Sequence, residues 1–197
     1  MSKVQLVLAS RSPRRRELLD QIGIRYRVET ADIDETAQQG ESAEVLVQRL
    51  AQEKAQVIWD KSDKALPVLG ADTLGQLDGQ LLVKPENYDD ARRMLLGMAG
   101  RKHEILSAVA LYSASGCQVC LNRSHVWFRA IKEHEVEAYW AMREPCDKAG
   151  AYAIQGYGAI FIERMEGSYS AVMGLPLFET ASMLEVIGIH PLESCAV

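Results

Sequence analysis

The sequence lacks the short motifs that mark the most common nucleotide-binding and hydrolytic folds. It contains neither the G-x-x-x-x-G-K-[S/T] sequence of P-loop proteins nor the G-x-G-x-x-G sequence of dinucleotide-binding folds, so neither is indicated. No Ser-His-Asp grouping is evident. The histidines show no metal-ligand spacing, and we expect each to be structural or exposed: His103, His125, His134 and His190.

Long apolar runs are also missing. No stretch approaches the roughly 20 apolar residues that a membrane-spanning helix needs. The apolar run near the N-terminus, VQLVLA, is too short for the hydrophobic part of a signal peptide and lacks a small-residue cleavage site. The sequence therefore predicts a cytoplasmic protein that does not associate with membranes.

Net positive charge is missing as well. The 197 residues carry a formal net charge of −5, and the isoelectric point calculated from the sequence is about 5.5. Such a charge argues against general affinity for nucleic acid or for anionic membranes. Any basic cluster is therefore expected to act locally, and nucleic acid is not predicted as a partner.

Cysteine is scarce, with four residues in the chain: Cys117, Cys120, Cys146 and Cys195. The first two form a C-x-x-C sequence, CQVC, which enters a run typical of a β-strand. In a strand the two thiols would point to opposite faces, and no second pair completes a zinc site. We therefore interpret CQVC as a pair of ordinary strand cysteines.

The segments that are present alternate between strand and helix patterns. A strand at about Val4 to Ala9 precedes a helix that Ser12 and Pro13 begin and Gly23 ends, and a second strand completes a βαβ unit. Ser42 is predicted to cap the long helix AEVLVQRLAQEKAQVIWDK. The segment AIFIERMEGSYSAVMG is predicted to form a hairpin, with a last helix after Pro176.

A central hairpin interrupts the alternation of strands and helices, which predicts an α/β fold with a mixed sheet and helices on its outer faces. No repeat, linker or low-complexity segment divides the chain. We therefore expect residues 1–197 to form a single domain.

The basic segment SRSPRRRELL follows the first strand and begins the first helix. The N-terminus of a helix directs backbone N–H groups and a positive dipole toward one point, which favours anions. The hydroxyls of Ser10 and Ser12 add donors, and Arg14 and Arg15 supply planar groups suited to phosphate oxygens. Consecutive cations at this position oppose the dipole by about 0.3–1 kcal/mol, so they require an anion or an acidic neighbour.

Lys54 and Asp72 stand out from the apolar patterns around them. Lys54 lies at a position of the long helix where the apolar stripe should continue, so its side chain either extends along the surface to water or faces a cleft. Asp72 and Thr73 end an apolar strand, where a carboxylate can act as a general base or a metal ligand.

Lys84 ends the partner strand of a hairpin that turns at Asp78-Gly79. A two-residue loop would pair Thr73 with Lys84, whereas a three-residue loop would place Asp72 opposite Lys84. The sequence leaves both registers open. If Asp72 and Lys84 converge, a bulge or a twist is expected in this hairpin.

Two loops contain further candidates. Glu35 lies in the acidic segment DIDE, which is either solvated surface or a ligand for Mg²⁺. Gln155 lies in the glycine-rich segment DKAGAYAIQGYG, whose backbone can approach a ligand closely, and its amide can both donate to and accept from a nucleobase edge. Lys148 is another possible phosphate contact.

Taken together, these segments resemble the Maf family of nucleoside triphosphate pyrophosphatases over nearly the whole chain. Each motif alone is weak, but their number and order make the resemblance specific. The motifs are LASRSPRRRELL at 8–19, DIDE at 32–35, RLAQEKA at 49–55, LGADT at 69–73, KP at 84–85, DKAGAYAIQG at 147–156 and GSYSAVMGLPL at 167–177.

The resemblance implies a Maf/ITPase-like α/β fold: a mixed, twisted sheet flanked by helices, with two lobes around a deep cleft. It implies hydrolysis of a nucleoside triphosphate to the monophosphate and pyrophosphate with a divalent cation, Mg²⁺ or Mn²⁺. A homodimer is a further expectation. The alternatives are 7-methyl-GTP hydrolysis and a nucleotide-binding regulator of cell division.

The resemblance also assigns roles to individual residues. Asp72 would be the proton acceptor and, with Glu35, a metal ligand. The residue types at Arg14, Thr73 and Gln155 are similar to the branch of the family that acts on dTTP and UTP. The phosphates would be bound by Ser10, Arg14, Arg15, Lys54 and Lys84. One departure is Leu74-Gly75, where relatives usually have two aliphatic residues, and Gly75 is expected to loosen the strand.

Overall fold

The computed structural model describes residues 3–192, apart from the side chain of Asp147. Within this range the strands are β1 (Leu6–Ala9), β2 (Tyr26–Glu29), β3 (Val68–Leu77), β4 (Gln80–Leu82), β5 (Lys102–Ser113), β6 (Gly116–Phe128) and β7 (Ile162–Glu166). The α-helices are α1 (Pro13–Gln21), α2 (Ala43–Lys61), α3 (Tyr88–Met98), α4 (Glu133–Ala141), α5 (Tyr169–Met173) and α6 (Leu177–Val186). Three short 3₁₀ turns cover Glu144–Asp147, Ala149–Ala151 and Tyr157–Phe161.

The strands form one sheet in the order β2-β1-β3-β5-β6-β7, and β4 pairs with β3. Parallel pairing joins β1 to β2 and to β3, whereas β3–β4 and β6–β7 are antiparallel. The prediction of a mixed α/β sheet flanked by helices is therefore confirmed. No helix in the described part of the chain is long and apolar enough to cross a bilayer.

The chain divides into two compact units. The first contains the residues up to Thr73, Ser107–Asn122 and the residues from Gly174 onward, and the second contains Leu74–Leu106 and Arg123–Met173. Strands β3, β5 and β6 each contribute residues to both units. The deep cleft expected from the sequence stays a prediction.

The first unit contains the predicted βαβ arrangement of β1, α1 and β2. All four residues of β1 are buried, and Leu8 lies between Val28 of β2 and Leu69 of β3. Helix α2 begins after Ser42, whose hydroxyl accepts a hydrogen bond from the N–H of Val45, as predicted. Local capping signals therefore determine where the long helix starts.

The second unit has its own apolar core around Phe128 and Phe161, whose rings meet at a tilted angle. Phe128 makes an edge-to-face contact with Tyr152, and Phe161 makes one with Tyr139. His103 is buried in the same core, and its Nε2 lies 2.7 Å from the hydroxyl of Tyr152. Burial lowers the pKa of the His103 imidazole to about 4. The expectation that this histidine is structural is confirmed.

The hairpin between β3 and β4 turns through two residues. Asp78 and Gly79 both have positive φ, at 52° and 77°, as a type I′ turn requires. The register places Gly75 opposite Leu82, so the alternative of a three-residue loop was wrong. A Cβ at position 75 would lie 3.1 Å from Leu82 Cδ1, so this glycine permits close packing rather than loosening the strand.

The predicted hairpin over AIFIERMEGSYSAVMG was also wrong. Its first half contains β7, which pairs with β6, but its second half forms the short helix α5. Ser168 explains the difference, because its hydroxyl accepts from the N–H of Ala171 and its carbonyl accepts from the N–H of Val172. These bonds begin a helix where the sequence analysis predicted the second strand of a hairpin.

Candidate active site

A close approach between α2 and β3 builds the centre of the candidate site. A Cβ at position 70 of β3 would lie 2.3 Å from the carbonyl oxygen of Ala51 and 2.9 Å from the Cβ of Ala55. Only glycine allows the strand to lie this close to the helix, and the two alanines are fully buried beneath it. Lys54 precedes Ala55, and Asp72 follows Gly70 by two residues, so this contact brings their side chains together.

The Lys54 ammonium joins two carboxylates. Its Nζ lies 2.6 Å from Asp72 Oδ1 and 2.8 Å from Glu35 Oε1. The Lys54 and Asp72 side chains are each 11% exposed, whereas Glu35 is 62% exposed. Lys54 therefore does not extend to water along the helix surface, so the first of the two alternatives left open by the sequence was wrong.

The loop that contains Glu35 is attached to α2 through Arg49. The guanidinium of Arg49 donates to both carboxylate oxygens of Glu41, at 2.7 Å and 2.9 Å, and to the carbonyl of Thr36 at 3.0 Å. Thr36 directly follows Glu35. These bonds therefore restrict the loop on which the exposed carboxylate lies.

The basic segment contributes a buried hydroxyl and a bound guanidinium. Ser10 is buried, and its Oγ accepts from the N–H of Ser12 at 3.2 Å and from Arg15 Nη1 at 3.1 Å. Because both bonds use the oxygen as acceptor, the Ser10 O–H is still a donor for an anion. Ser12 occupies the predicted N-cap position, but its side chain makes no capping bond.

Arg15 also contacts the segment before α6. Its Nε donates to the carbonyl of Gly174 at 2.8 Å. Burial lowers the pKa of the Arg15 guanidinium, while the nearby charges of Asp72 and Glu35 act in the opposite direction. Arg15 therefore lies close enough to the two carboxylates to interact with them electrostatically. Arg14 is half-buried, and Arg11 and Arg16 are exposed.

Thr73 is held by a residue that the sequence interpretation missed. Its Oγ1 lies 2.8 Å from the Oγ of Ser107, which also donates to the Asp72 carbonyl at 3.4 Å. Ser107 is fully buried, and it is an isolated hydroxyl inside the apolar run ILSAVAL. A single hydroxyl within an apolar strand was the sequence signal by which Ser107 could have been identified. The contact of Gly174 with Arg15 was missed as well, although Gly174 lies in the motif GSYSAVMGLPL.

Three of the sequence-predicted residues belong to the second unit: Lys84, Lys148 and Gln155. Lys84 follows β4 and is exposed, and Gln155 is exposed in the turn before the 3₁₀ segment Tyr157–Phe161. The hairpin ladder stops at Gly75 and Leu82, so the predicted convergence of Asp72 and Lys84 stays a prediction. Cys117 and Cys120 lie in β6 as free thiols, as expected. Cys195 lies outside the described residues.

Glu35 and Asp72 are the residues of the first unit that could hold a divalent cation. Within residues 3–192, leaving aside the side chain of Asp147, no three His, Cys, Asp or Glu side chains converge as a metal cluster. Glu35 and Asp72 nevertheless bring carboxylates to one ammonium group. Mg²⁺ typically takes one or two carboxylates together with phosphate oxygens and water. The donors present therefore suit a metal that is shared with a phosphate group.

Comparison with known proteins extends over almost the entire chain. A dTTP/UTP pyrophosphatase of Pseudoalteromonas atlantica is 50% identical over 183 residues, which cover 91% of this chain and 95% of that protein. A dTTP/UTP pyrophosphatase of Hahella chejuensis is 47% identical, with coverage of 94% and 93%. Among solved structures, a dITP/XTP pyrophosphatase of Mycobacterium abscessus aligns over 93% of this chain and 94% of its own, with 16% identity and a TM-score of 0.43. The family described as Maf-like protein matches residues 5–187, and the chain belongs to this family.

Proposed function

We propose that the protein is a nucleoside triphosphate pyrophosphatase that hydrolyses dTTP and UTP to the monophosphate and pyrophosphate. Water attacks at the α-phosphorus, and the bond between the α-phosphorus and its bridging oxygen to the β-phosphorus breaks. Relatives named dTTP/UTP pyrophosphatase support the substrate class. The physiological role we propose is removal of nucleotides that should not enter nucleic acid.

The observation that carries the proposal is the Lys54 ammonium between Asp72 and Glu35, close to Arg15 and the buried hydroxyl of Ser10. Phosphoryl transfer depends mainly on positioning and on neutralising the charge of the phosphates. Cationic groups from α1 and α2 supply this neutralisation. A carboxylate among them supplies a proton acceptor.

Asp72 is assigned as the general base. Its Oδ1 accepts a hydrogen bond from Lys54, which orients the carboxylate that has to take a proton from water. The bond from Ser107 to the Asp72 carbonyl holds the backbone of this residue. The site therefore orients the base from both its side chain and its main chain.

Phosphate binding is assigned to Ser10, Arg14, Arg15, Lys54 and Lys84. Ser10 offers its O–H, and Arg15 is already oriented by its bond to the Gly174 carbonyl. Such bound side chains lose little conformational freedom when a ligand arrives. Lys84 is included only because its positive charge suits a phosphate group.

Glu35 and Asp72 would hold a divalent metal, Mg²⁺ or Mn²⁺. When bound, the cation would neutralise negative charge on the phosphate oxygens. The exposed position of Glu35 suits a ligand that engages the metal together with the substrate. Selection of the nucleobase is assigned to Arg14, Thr73 and Gln155. The amide of Gln155 suits this role because it can both donate and accept hydrogen bonds.

A panel of triphosphates with detection of released pyrophosphate tests the proposal. We expect the highest kcat/KM on dTTP and UTP, with lower values on ATP, GTP and 7-methyl-GTP. A preference for 7-methyl-GTP would replace the substrate assignment while retaining the chemistry. Tight nucleotide binding without turnover on the whole panel would instead favour a regulatory binding protein.

A further inference from the structure

A carboxylate in the second unit binds the loop that contains Gln155. Glu144 lies in the 3₁₀ turn Glu144–Asp147, and its Oε1 accepts from the hydroxyl of Tyr139 at 2.7 Å and from the N–H of Gly158 at 3.0 Å. Its Oε2 accepts from the N–H of Tyr157 at 2.9 Å. One carboxylate therefore satisfies two backbone donors at the start of the 3₁₀ turn Tyr157–Phe161 and one buried hydroxyl.

The loop is held on both sides of Gln155. Two residues after it, the N–H of Tyr157 donates to Glu144, and two residues before it, the N–H of Ala153 donates to the hydroxyl of Tyr139 at 3.2 Å. A backbone bond from Gly156 to the carbonyl of Ala153, at 3.2 Å, closes the turn between them. Gln155 therefore lies on a short span whose two ends are bound to the same pair of side chains.

The shape of the loop matches the carboxylate. A Cβ at position 156 would lie 2.2 Å from Glu144 Oε2, and one at position 158 would lie 2.6 Å from the Tyr139 hydroxyl oxygen. Gly156 has a negative φ of −117°, so its backbone conformation is open to other residues. A side chain at position 156 would therefore displace the Glu144 carboxylate from the place it occupies here.

The charge of Glu144 strengthens these contacts. Burial raises the pKa of its carboxyl group, but the hydrogen bonds from Gly158, Tyr139 and Tyr157 outweigh this effect and leave the pKa below its usual value. The group is therefore ionised at neutral pH. Hydrogen bonds to an ionised acceptor are roughly twice as strong as neutral ones.

We infer that Glu144, together with Tyr139, is a positioning residue that holds the turn at residues 153–158 so that Gln155 presents its amide in one orientation to the base of the nucleotide. This inference rests on the proposed function, in which Gln155 reads the base. In this inference Glu144 acts through the loop that it binds and not through contact with the substrate. Glu144 therefore affects which triphosphate the enzyme accepts. A displaced Gln155 amide reduces the enzyme's selectivity between nucleobases before it reduces the turnover rate.

Glu144→Gln is the primary test. The substituted side chain keeps the shape of glutamate but directs an NH₂ group toward a backbone N–H, so at least one bond to the loop is lost. We expect the ratio of kcat/KM on UTP to kcat/KM on GTP to fall about tenfold, since small displacements of a positioned group have effects of this order or larger. Tyr139→Phe should shift the ratio in the same direction. Glu163→Gln, an identical change at an exposed position in β7, should leave the ratio unchanged.

A double-mutant cycle separates positioning from general loosening of the fold. If Glu144 acts through Gln155, Glu144→Gln should have no further effect on the ratio in a Gln155→Ala background. Equal effects in both backgrounds would overturn the inference, and so would wild-type selectivity in the single variant. Thermal unfolding of each variant verifies that it is folded.

Hydrogen–deuterium exchange tests the same inference without turnover. The amide protons of Tyr157 and Gly158 should exchange faster in Glu144→Gln than in the wild type, and unchanged exchange would contradict the contact. A wild-type protein that does not hydrolyse UTP or dTTP would refute the proposed function. In that case the exchange rates alone decide whether Glu144 holds the loop.

Discussion

Asp72→Asn is the substitution that tests the proposed chemistry most directly. The amide has nearly the shape of the carboxylate but cannot take a proton from water. A general base contributes about 10²–10⁴-fold to the rate, which corresponds to about 3–5 kcal/mol of transition-state stabilisation. We therefore expect kcat on UTP to fall by two to four orders of magnitude, which makes this variant close to inactive.

The same substitution should leave the protein folded. Removing one partner of a buried ion pair costs about 3–5 kcal/mol when the other charge is left alone. Here the Lys54 ammonium still has Glu35 at 2.8 Å, so the loss should be closer to the 1–3 kcal/mol of a single charged hydrogen bond. This lies within the stability of about 5–15 kcal/mol that is usual for a folded domain.

The assay is steady-state hydrolysis of saturating UTP with pyrophosphate detection, accompanied by urea unfolding of each variant. Asp60→Asn is the matched control, because it makes the same chemical change at an exposed position of α2. Its kcat should equal that of the wild type. Near wild-type kcat in Asp72→Asn would refute the assignment of the base, and an unfolded Asp72→Asn would refute the estimate that Glu35 compensates Lys54.

Further predictions concern stability. Gly70→Ala should lower the free energy of unfolding by about 1–3 kcal/mol, because its Cβ would lie 2.3 Å from a backbone oxygen of α2. Gly97→Ala is the control and should be neutral or stabilising in thermal unfolding, since its Cβ would lie 3.9 Å from the nearest neighbouring atom. Equal effects of the two substitutions would contradict the close approach of β3 to α2. The hydrogen bond from Arg49 lowers the pKa of Glu41 from 4.5 to about 2, so its stabilising contribution is complete above pH 4.5 and is lost as the pH falls toward 2. Urea unfolding across this range should show a weaker pH dependence in Arg49→Gln, and an unchanged dependence would be inconsistent with the pairing. Burial lowers the pKa of His103 from 6.5 to about 4, so stability should be complete above pH 6.5 and fall as the pH decreases toward 4. His103→Gln should reduce this dependence, and identical slopes in both proteins would exclude His103 as its source.

Local signals predicted several elements closely. The boundaries of α2, Ala43–Lys61, agree with the sequence prediction, and α3 covers Tyr88–Met98. Both helices begin after a residue whose side chain accepts a hydrogen bond from the first turn, Ser42 in one case and Asn87 in the other. Such caps act within a few residues, so they can be recognised without knowledge of the fold.

The error in the last quarter of the chain had a different origin. The predicted hairpin placed strands on both sides of Gly167, but in the structure the strand is β7, which pairs with β6. A strand is stabilised by pairing with another strand, and its partner can lie far away in the sequence. The segment after Gly167 forms α5, begun by the hydrogen bonds of Ser168.

The sequence by itself determined the family, the location of the basic segment at a helix N-terminus, and the inventory of charged and amide groups. These follow from local order and from residue types, which do not depend on contacts across the chain. Only the tertiary structure decided where the Lys54 side chain goes, because its environment depends on a strand eighteen residues away and on the glycine that lets α2 approach it. For the same reason the contacts of Ser107 and Glu144 became visible only in the folded chain.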